Sequence, residues 1–164
     1  VAKFGGAKTE GVLKLRLAKS YYDAGRFEEA LALYGELEAA APKGLEDVTV
    51  VGKAECLEAL GRFDEAFAAY DGFVVAQPKS YLTLTAQLGA ARCLAQQDNG
   101  RKTAIERLQA LAETVKDDEL SKARVEATID LVKRYEKRAA VSLFDAANDA
   151  AKQLEGAPAP AKAE

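Results

Sequence analysis

Histidine, methionine and tryptophan are absent from this chain of 164 residues, and cysteine and proline occur only two and four times. Without histidine the chain lacks the commonest general base near neutral pH, every histidine-containing triad and the histidine zinc motifs. We therefore expect no enzymatic activity, no bound metal and no cofactor. The missing methionine includes the initiator, since the chain begins at Val1, which predicts a processed or excised piece of a longer protein.

Strong charge and long apolar runs are also missing. The formal net charge is −3, and no basic stripe exceeds a few residues, so the electrostatic footprint of nucleic-acid binding is lacking. No apolar run approaches the roughly 18 to 20 residues that span a bilayer, so we expect no direct membrane insertion by this fragment. The remaining composition, 49% hydrophobic and 30% charged, is that of an ordinary globular protein of one domain.

The two cysteines occupy matching places in the segments Gly52-Lys-Ala-Glu-Cys56-Leu and Gly89-Ala-Ala-Arg-Cys93-Leu. If these segments are equivalent helices of neighbouring units, their axes lie about 8 to 10 Å apart. A disulfide requires Cα atoms within about 7 Å, so we expect two free, half-buried thiols.

A segment that is written twice dominates the rest of the sequence. Residues 18–34 return as residues 54–70, an offset of 36. Periods of 20 to 50 residues mark arrays of stacked helical or strand units, because one unit cannot bury its apolar face alone. The repeated positions are Ala18, Gly25, Phe27, Ala30, Tyr34 and Pro42, and in the second copy Ala54, Gly61, Phe63, Ala66, Tyr70 and Pro78.

Packing and chain reversal explain each of these repeated residue types. The alanines are small where the two helices of a hairpin come closest, and the glycines permit the left-handed conformation that ends the first helix. The phenylalanines fill the space beside the turn, the tyrosines are expected to bury against the next unit, and the prolines end the second helix. The repeat therefore defines a scaffold and says nothing about a ligand.

Apolar spacing predicts helices throughout residues 11–155. We expect a flexible tail, or the remnant of a preceding element, over 1–10 and helical units over about 11–44, 47–80 and 84–117. The third unit is a degenerate copy that has an extra residue in its turn. A degenerate cap follows over 119–155, as one long helix or two, and 156–164 form a disordered Ala/Pro tail.

This pattern resembles the tetratricopeptide repeat family, which implies an all-α, right-handed superhelix of antiparallel helical hairpins. The period of 36, the phrase Pro78-Lys-Ser80-Tyr81 and the phrase Gly89-Ala-Ala-Arg92-Cys-Leu more particularly resemble bacterial envelope repeat proteins of the YfgM and Tol-Pal coordinator types. That second resemblance implies a bacterial periplasm or cell envelope, with the cytoplasm as the alternative.

The family resemblance further implies that first-helix residues of each unit face a concave groove that binds an extended or helical peptide. Four of these side chains, on Arg16, Lys19, Tyr22 and Arg92, could hold an acidic or C-terminal group of a peptide. The alternative is that they are solvated charges on a helix face. The full set of groove positions is Val12, Leu15, Arg16, Lys19, Tyr22, Val48, Val51, Glu55, Glu58, Thr85, Leu88, Arg92 and Gln96.

We therefore predict a non-catalytic scaffold that binds a protein or peptide of unknown identity, in a bacterial envelope or another multiprotein assembly. The alternative is a structural module that forms a homo-oligomer through its open ends, residues 1–15 or 119–155. The acidic cluster Asp117, Asp118 and Glu119 is interpreted as charge at a helix N-terminus and not as a metal site.

Overall fold

The computed structural model describes residues 7–40 and 43–135. Its regular structure in these ranges is entirely helical, as the sequence predicted. No helix in the described ranges is both long and apolar enough to cross a membrane. The helices are α1 (Ala7–Asp23), α2 (Phe27–Ala40), α3 (Glu46–Ala59), α4 (Phe63–Ala76), α5 (Thr83–Gln96), α6 (Gly100–Thr114) and α7 (Glu119–Arg134).

Each helix packs on the next, so that α1/α2, α3/α4 and α5/α6 form three successive hairpins and α7 packs on α6 and α5. The first helices of neighbouring hairpins also meet, α1 with α3 and α3 with α5. This nearest-neighbour arrangement is that of a helical solenoid, and it confirms the predicted tetratricopeptide-like fold class.

The turns inside the first two hairpins are built identically. Gly25 and Gly61 both have φ of 74°, the left-handed region that the sequence predicted for them. In each turn the following arginine donates its backbone N–H to a carbonyl five residues back, Arg26 to Tyr21 and Arg62 to Leu57, both at 2.9 Å. These bonds satisfy carbonyls that the helix end would leave unpaired.

The third hairpin reverses differently. Asn99 takes the left-handed conformation, with φ of 60°, and α6 begins at the next residue. A Cβ on Gly100 would lie 1.9 Å from the Leu94 carbonyl oxygen, so only glycine permits this approach. In the Asp98-Asn99-Gly100 turn, Asn99 thus reverses the chain and Gly100 permits the close approach of the two helices.

Among the described residues, one cluster of buried apolar side chains lies around the first hairpin and another spans α3, α4 and α5. All four repeated alanines, Ala18, Ala30, Ala54 and Ala66, are fully buried, which confirms their predicted role at the closest helix approaches. Cys56 and Cys93 are free and fully buried, more deeply than the half-burial that the sequence predicted.

The contact between hairpins is a tyrosine seated on a glycine. A Cβ on Gly52 would lie 2.4 Å from Tyr34 Cζ, and a Cβ on Gly89 would lie 2.5 Å from Tyr70 Cζ. Each tyrosine is therefore buried against the first helix of the next hairpin, as the repeat predicted. The facing glycine has no side chain and so leaves the space that the tyrosine ring fills.

Some boundaries differ from the sequence-based prediction. Helix α1 begins at Ala7, so the last four residues of the predicted 1–10 tail are helical, since the helix gains a turn ahead of its first buried residues. Pro42, the greater part of the predicted 119–155 cap and the predicted 156–164 tail lie outside the described residues.

Candidate partner-binding groove

An open cleft of about 240 Å³ lies between α1 and α3. It brings together five of the predicted groove residues from two hairpins. Side chains that the sequence analysis had not assigned to the groove complete its wall. The lining residues are Leu15, Lys19, Tyr34, Val48, Val51, Gly52, Glu55 and Leu82.

Helical spacing explains why these residues meet. In α3, Val48, Val51 and Glu55 are separated by three and four residues and therefore project from one face, and in α1 the same holds for Leu15 and Lys19. The hairpin stacking then sets these two faces side by side. The cleft is apolar along most of its length and charged at Lys19 and Glu55.

Arg92 does not project into solvent as a free cation. Its Nε and Nη2 donate to the two carboxylate oxygens of Glu58 at 2.6 and 2.8 Å, and the Tyr70 hydroxyl donates to the same carboxylate at 3.0 Å. Although burial opposes the charge, the hydrogen bonds from the guanidinium to Glu58 raise the pKa of Arg92. Two predicted groove residues are thus joined to each other across the junction of the second and third hairpins.

Lys19 and Tyr22 also interact within the first hairpin. Lys19 Nζ lies 2.8 Å from Asp23 Oδ1 and 4.9 Å from the centroid of the Tyr22 ring. The Tyr22 ring in turn packs edge-on against Phe27, with centroids 5.3 Å apart. The cation of Lys19 is therefore neutralised locally, although its side chain remains exposed at the cleft.

Glu55 stands apart from its neighbours. It is half-buried, yet its carboxylate forms no hydrogen bond or ion pair with any residue of 7–40 or 43–135. Burial raises the pKa of Glu55, the Lys19 charge opposes that rise, and the Glu58 charge adds to it. The groove thus contains a carboxylate that no described residue holds by a hydrogen bond or an ion pair, although the Lys19 and Arg92 charges act on it at longer range.

Arg16 does not line the cleft, so its predicted place in the groove stays a prediction. One repeat later its position is Gly52, and one further it is Gly89, the two residues that receive the tyrosine of the preceding hairpin. In the first hairpin the equivalent side chain, that of Arg16, is exposed. Val12, nearby on α1, is half-buried.

At the third hairpin the predicted groove positions are largely engaged in packing. Leu88 is buried, Gln96 is half-buried, and Thr85 accepts a hydrogen bond from Arg124 of α7 at 3.1 Å. Among the described residues, the predicted groove positions that line this cleft are thus those of α1 and α3.

A second cavity of about 350 Å³ lies between α4 and α6, on the face of α5 that the predicted groove positions do not occupy. An ion pair between Arg107 and Asp71, 2.9 Å long, lies at this cavity, and the Arg107 guanidinium also stands 5.5 Å from the centre of the Phe67 ring. None of the predicted groove residues lines this cavity, which is bounded by side chains that join the second and third hairpins.

In the part of the chain that the structure describes, no three histidine, cysteine, aspartate or glutamate residues are grouped so that they could hold a metal ion. Asp118 instead caps α7: its carboxylate accepts hydrogen bonds from the backbone of Leu120 and Ser121, at 3.1 and 3.3 Å, and from the Ser121 hydroxyl. The Ser121 bonds lower the pKa of Asp118. The helix N-terminal interpretation of this acidic residue is confirmed.

Comparison with known families agrees with this architecture. The family model described as tetratricopeptide repeat matches residues 13–44 and 51–80, which are the first two hairpins. No curated protein matches the chain significantly. Two segments of the chain are therefore similar to tetratricopeptide repeats, which generally mediate protein–protein interaction.

Proposed function

We propose that this protein is a non-catalytic scaffold that binds a peptide or protein partner in the cleft between α1 and α3. The observation that supports this proposal most directly is the open cleft itself, which is formed by residues from two hairpins. The repeated residues serve packing and chain reversal, whereas the cleft is lined mainly by residues that differ between the copies.

Specificity in this proposal resides in the positions that vary from unit to unit. Lys19 is replaced by Glu55 and then by Arg92 at equivalent positions, while Leu15 is replaced by Val51 and then by Leu88. The second series stays apolar and shapes the cleft, whereas the first changes charge and would select the partner.

Site-specific photo-crosslinking tests the proposal. A photoreactive amino acid at Lys19, in the cleft, should give a discrete adduct with a partner in the source cells. The same amino acid at Val75, an exposed position on α4 outside the cleft, is the matched control and should not. Equal labelling from both positions, or none from Lys19, would count against the cleft as the binding site.

We further propose that the scaffold serves a multiprotein assembly of the bacterial envelope. The support is the resemblance of the repeat period and of the segments around Ser80 and Arg92 to envelope repeat proteins. Fractionation of cells that express the full-length gene tests this location. Recovery with the cytoplasmic fraction would contradict it.

Self-association is the second candidate function, and the surface of α1 favours it. Leu13 and Leu17 are 60% and 46% exposed. The equivalents of Leu13, Thr49 and Ala86, are buried, whereas those of Leu17 are the half-buried Lys53 and the buried Ala90. Sedimentation across a range of concentrations tests this candidate. A dimer that is lost in Leu13→Asp would support it, and a strict monomer at ~100 µM would exclude it, since weak contacts have millimolar to micromolar affinity.

A further inference from the structure

We propose that the cleft between α1 and α3 recognises a peptide segment in which a lysine or arginine lies beside an aliphatic residue, with the cation paired to Glu55 and the aliphatic side chain placed between Leu15 and Val48. This inference rests on the proposed function, because it names the chemistry of the partner that the same cleft would take.

The size and lining of the cleft define the aliphatic half of the motif. At about 240 Å³ the cleft is smaller than the roughly 300 to 1,000 Å³ of pockets that enclose small molecules, so it suits one or two side chains. Its walls are mainly apolar, from Leu15, Val48, Val51 and Leu82. Burial of an aliphatic side chain there is favourable because it removes apolar surface from water on both partners.

The charges around the cleft define the basic half. The Lys19 cation is already paired with Asp23, and the Glu58 carboxylate is already held by Arg92 and Tyr70. Of the charged groups that line the cleft, the Glu55 carboxylate is the one that no described residue holds by a hydrogen bond or an ion pair, although the Lys19 and Arg92 charges act on it at longer range. A partner would gain by supplying a cation, and an acidic partner would place like charges together.

The unfavourable burial of the Glu55 charge in the folded protein also favours a basic partner. Burial and the Glu58 charge both disfavour its ionised form, so a neutral residue would be more favourable for folding alone. Residues that oppose stability in this way concentrate at functional sites, where a ligand supplies the missing interaction.

This chemistry is opposite to the expectation from sequence, which assigned Arg16, Lys19, Tyr22 and Arg92 to an acidic or C-terminal group. In the folded chain Arg92 is paired with Glu58, Lys19 is paired with Asp23, and Arg16 does not line the cleft. Two of the cations that suggested an acidic partner thus already have carboxylate partners within the chain.

Selection of short random peptides displayed on phage, with the full chain as bait, tests the inference. The expected result is enrichment of peptides that place a lysine or arginine within two residues of an aliphatic side chain. Synthetic peptides of the enriched sequence should bind Glu55→Gln about tenfold more weakly than the unmodified chain. Glu113→Gln, an exposed change on α6 away from the cleft, should leave binding unchanged.

The outcomes separate this inference from the proposed function. Peptides that lose binding in Leu15→Ala but contain no basic residue, or that bind Glu55→Gln normally, would overturn the cationic motif and leave the cleft as a binding site. Failure to enrich any peptide, or binding that no cleft substitution alters, would overturn both. In Glu55→Lys the preference should reverse toward acidic peptides, and circular dichroism verifies that each variant is folded.

Discussion

At the scale of a single residue, Glu55 shows how a proposed binding site in a repeat protein differs from the equivalent positions of the other repeats. It occupies the position of Lys19 in the first hairpin and Arg92 in the third, and both of those cations find a carboxylate within the chain. Glu55 forms no ion pair with a described residue, although the Lys19 and Arg92 charges act on it at longer range. Its environment, and not its residue type, distinguishes it from the other glutamates of the chain.

Glu55→Gln should raise the free energy of unfolding at pH 7 by roughly 0.5 to 1 kcal/mol, the usual scale for relieving an unfavourable charge. The raised pKa means that the folded chain holds this proton more tightly than the unfolded chain, so the contribution of Glu55 becomes less favourable as pH rises above its ordinary value of 4.5. The gain from the substitution should therefore disappear below that value. Urea titrations at several pH values measure it, and an equal gain in Glu113→Gln would contradict the local explanation.

Gly89→Ala should destabilise the fold, although alanine is the better helix former by about 1 kcal/mol. The new Cβ would lie 2.5 Å from Cζ of the buried Tyr70, and such overpacking costs about 1 to 3 kcal/mol. Gly72→Ala is the matched control, because a Cβ there meets nothing within 4 Å and should stabilise the protein. Thermal unfolding of both variants tests the contrast. Stabilisation by both would disprove the tyrosine-on-glycine contact.

At the scale of the element, each hairpin is completed by side chains that repeat with it. In the first two hairpins an arginine follows the turn glycine and pairs with the glutamate three residues on, Arg26 with Glu29 and Arg62 with Glu65. These exposed pairs add little energy, but they repeat because the turn places the same residues at the same helix start. The third hairpin lacks this pair in its first turn and uses Asn99 and Gly100 instead.

Asp118→Ala should weaken α7 and lower the free energy of unfolding, because the helix loses the side chain that caps its N-terminus. The carboxylate accepts two backbone hydrogen bonds at the start of α7 that alanine cannot replace. Asp117→Ala is the neighbouring control, because it is the Asp118 carboxylate, and not that of Asp117, that accepts the hydrogen bonds at the start of α7. Hydrogen exchange of the first α7 amides should accelerate in the first variant and not in the second.

At the scale of the whole molecule, the two cysteines lie in different clusters of the core. Cys56 lies in the core cluster around the first hairpin, whereas Cys93 lies in the larger cluster of α3, α4 and α5. The first hairpin packs on a neighbour on one side only within the described ranges. In a quasi-linear array, units that have fewer neighbours open first.

The two thiols should report this difference. Burial raises the pKa of Cys56 to about 11 and that of Cys93 to about 12, so neither reacts readily in the folded protein. As urea increases, Cys56 should be labelled by a thiol reagent before Cys93, because loss of the first hairpin exposes it. Cys56→Ala and Cys93→Ala assign the two reactions. Simultaneous labelling at every urea concentration would indicate one all-or-none unit instead.

How far the sequence could predict this protein depended on the sequence separation of the groups involved. The turn glycines Gly25 and Gly61, the buried alanines and the inward tyrosines were predictable because their roles arise within one hairpin or recur at a fixed offset. The Glu58–Arg92 pair joins residues 34 positions apart on different helices. Helix faces indicate that both residues lie near the groove, but they do not indicate that the two side chains meet.

The sequence by itself determined the period, the helical hairpins and the class of scaffold, because these depend on local conformation and on residue types that return at equivalent positions. Only the tertiary structure decided which side chains remain available to a partner. Packing of one hairpin on the next pairs Arg92 with Glu58 and leaves Glu55 without an ion-pair partner among the described residues. Charge compensation depends on distances across the stacked helices, and a linear pattern does not contain those distances.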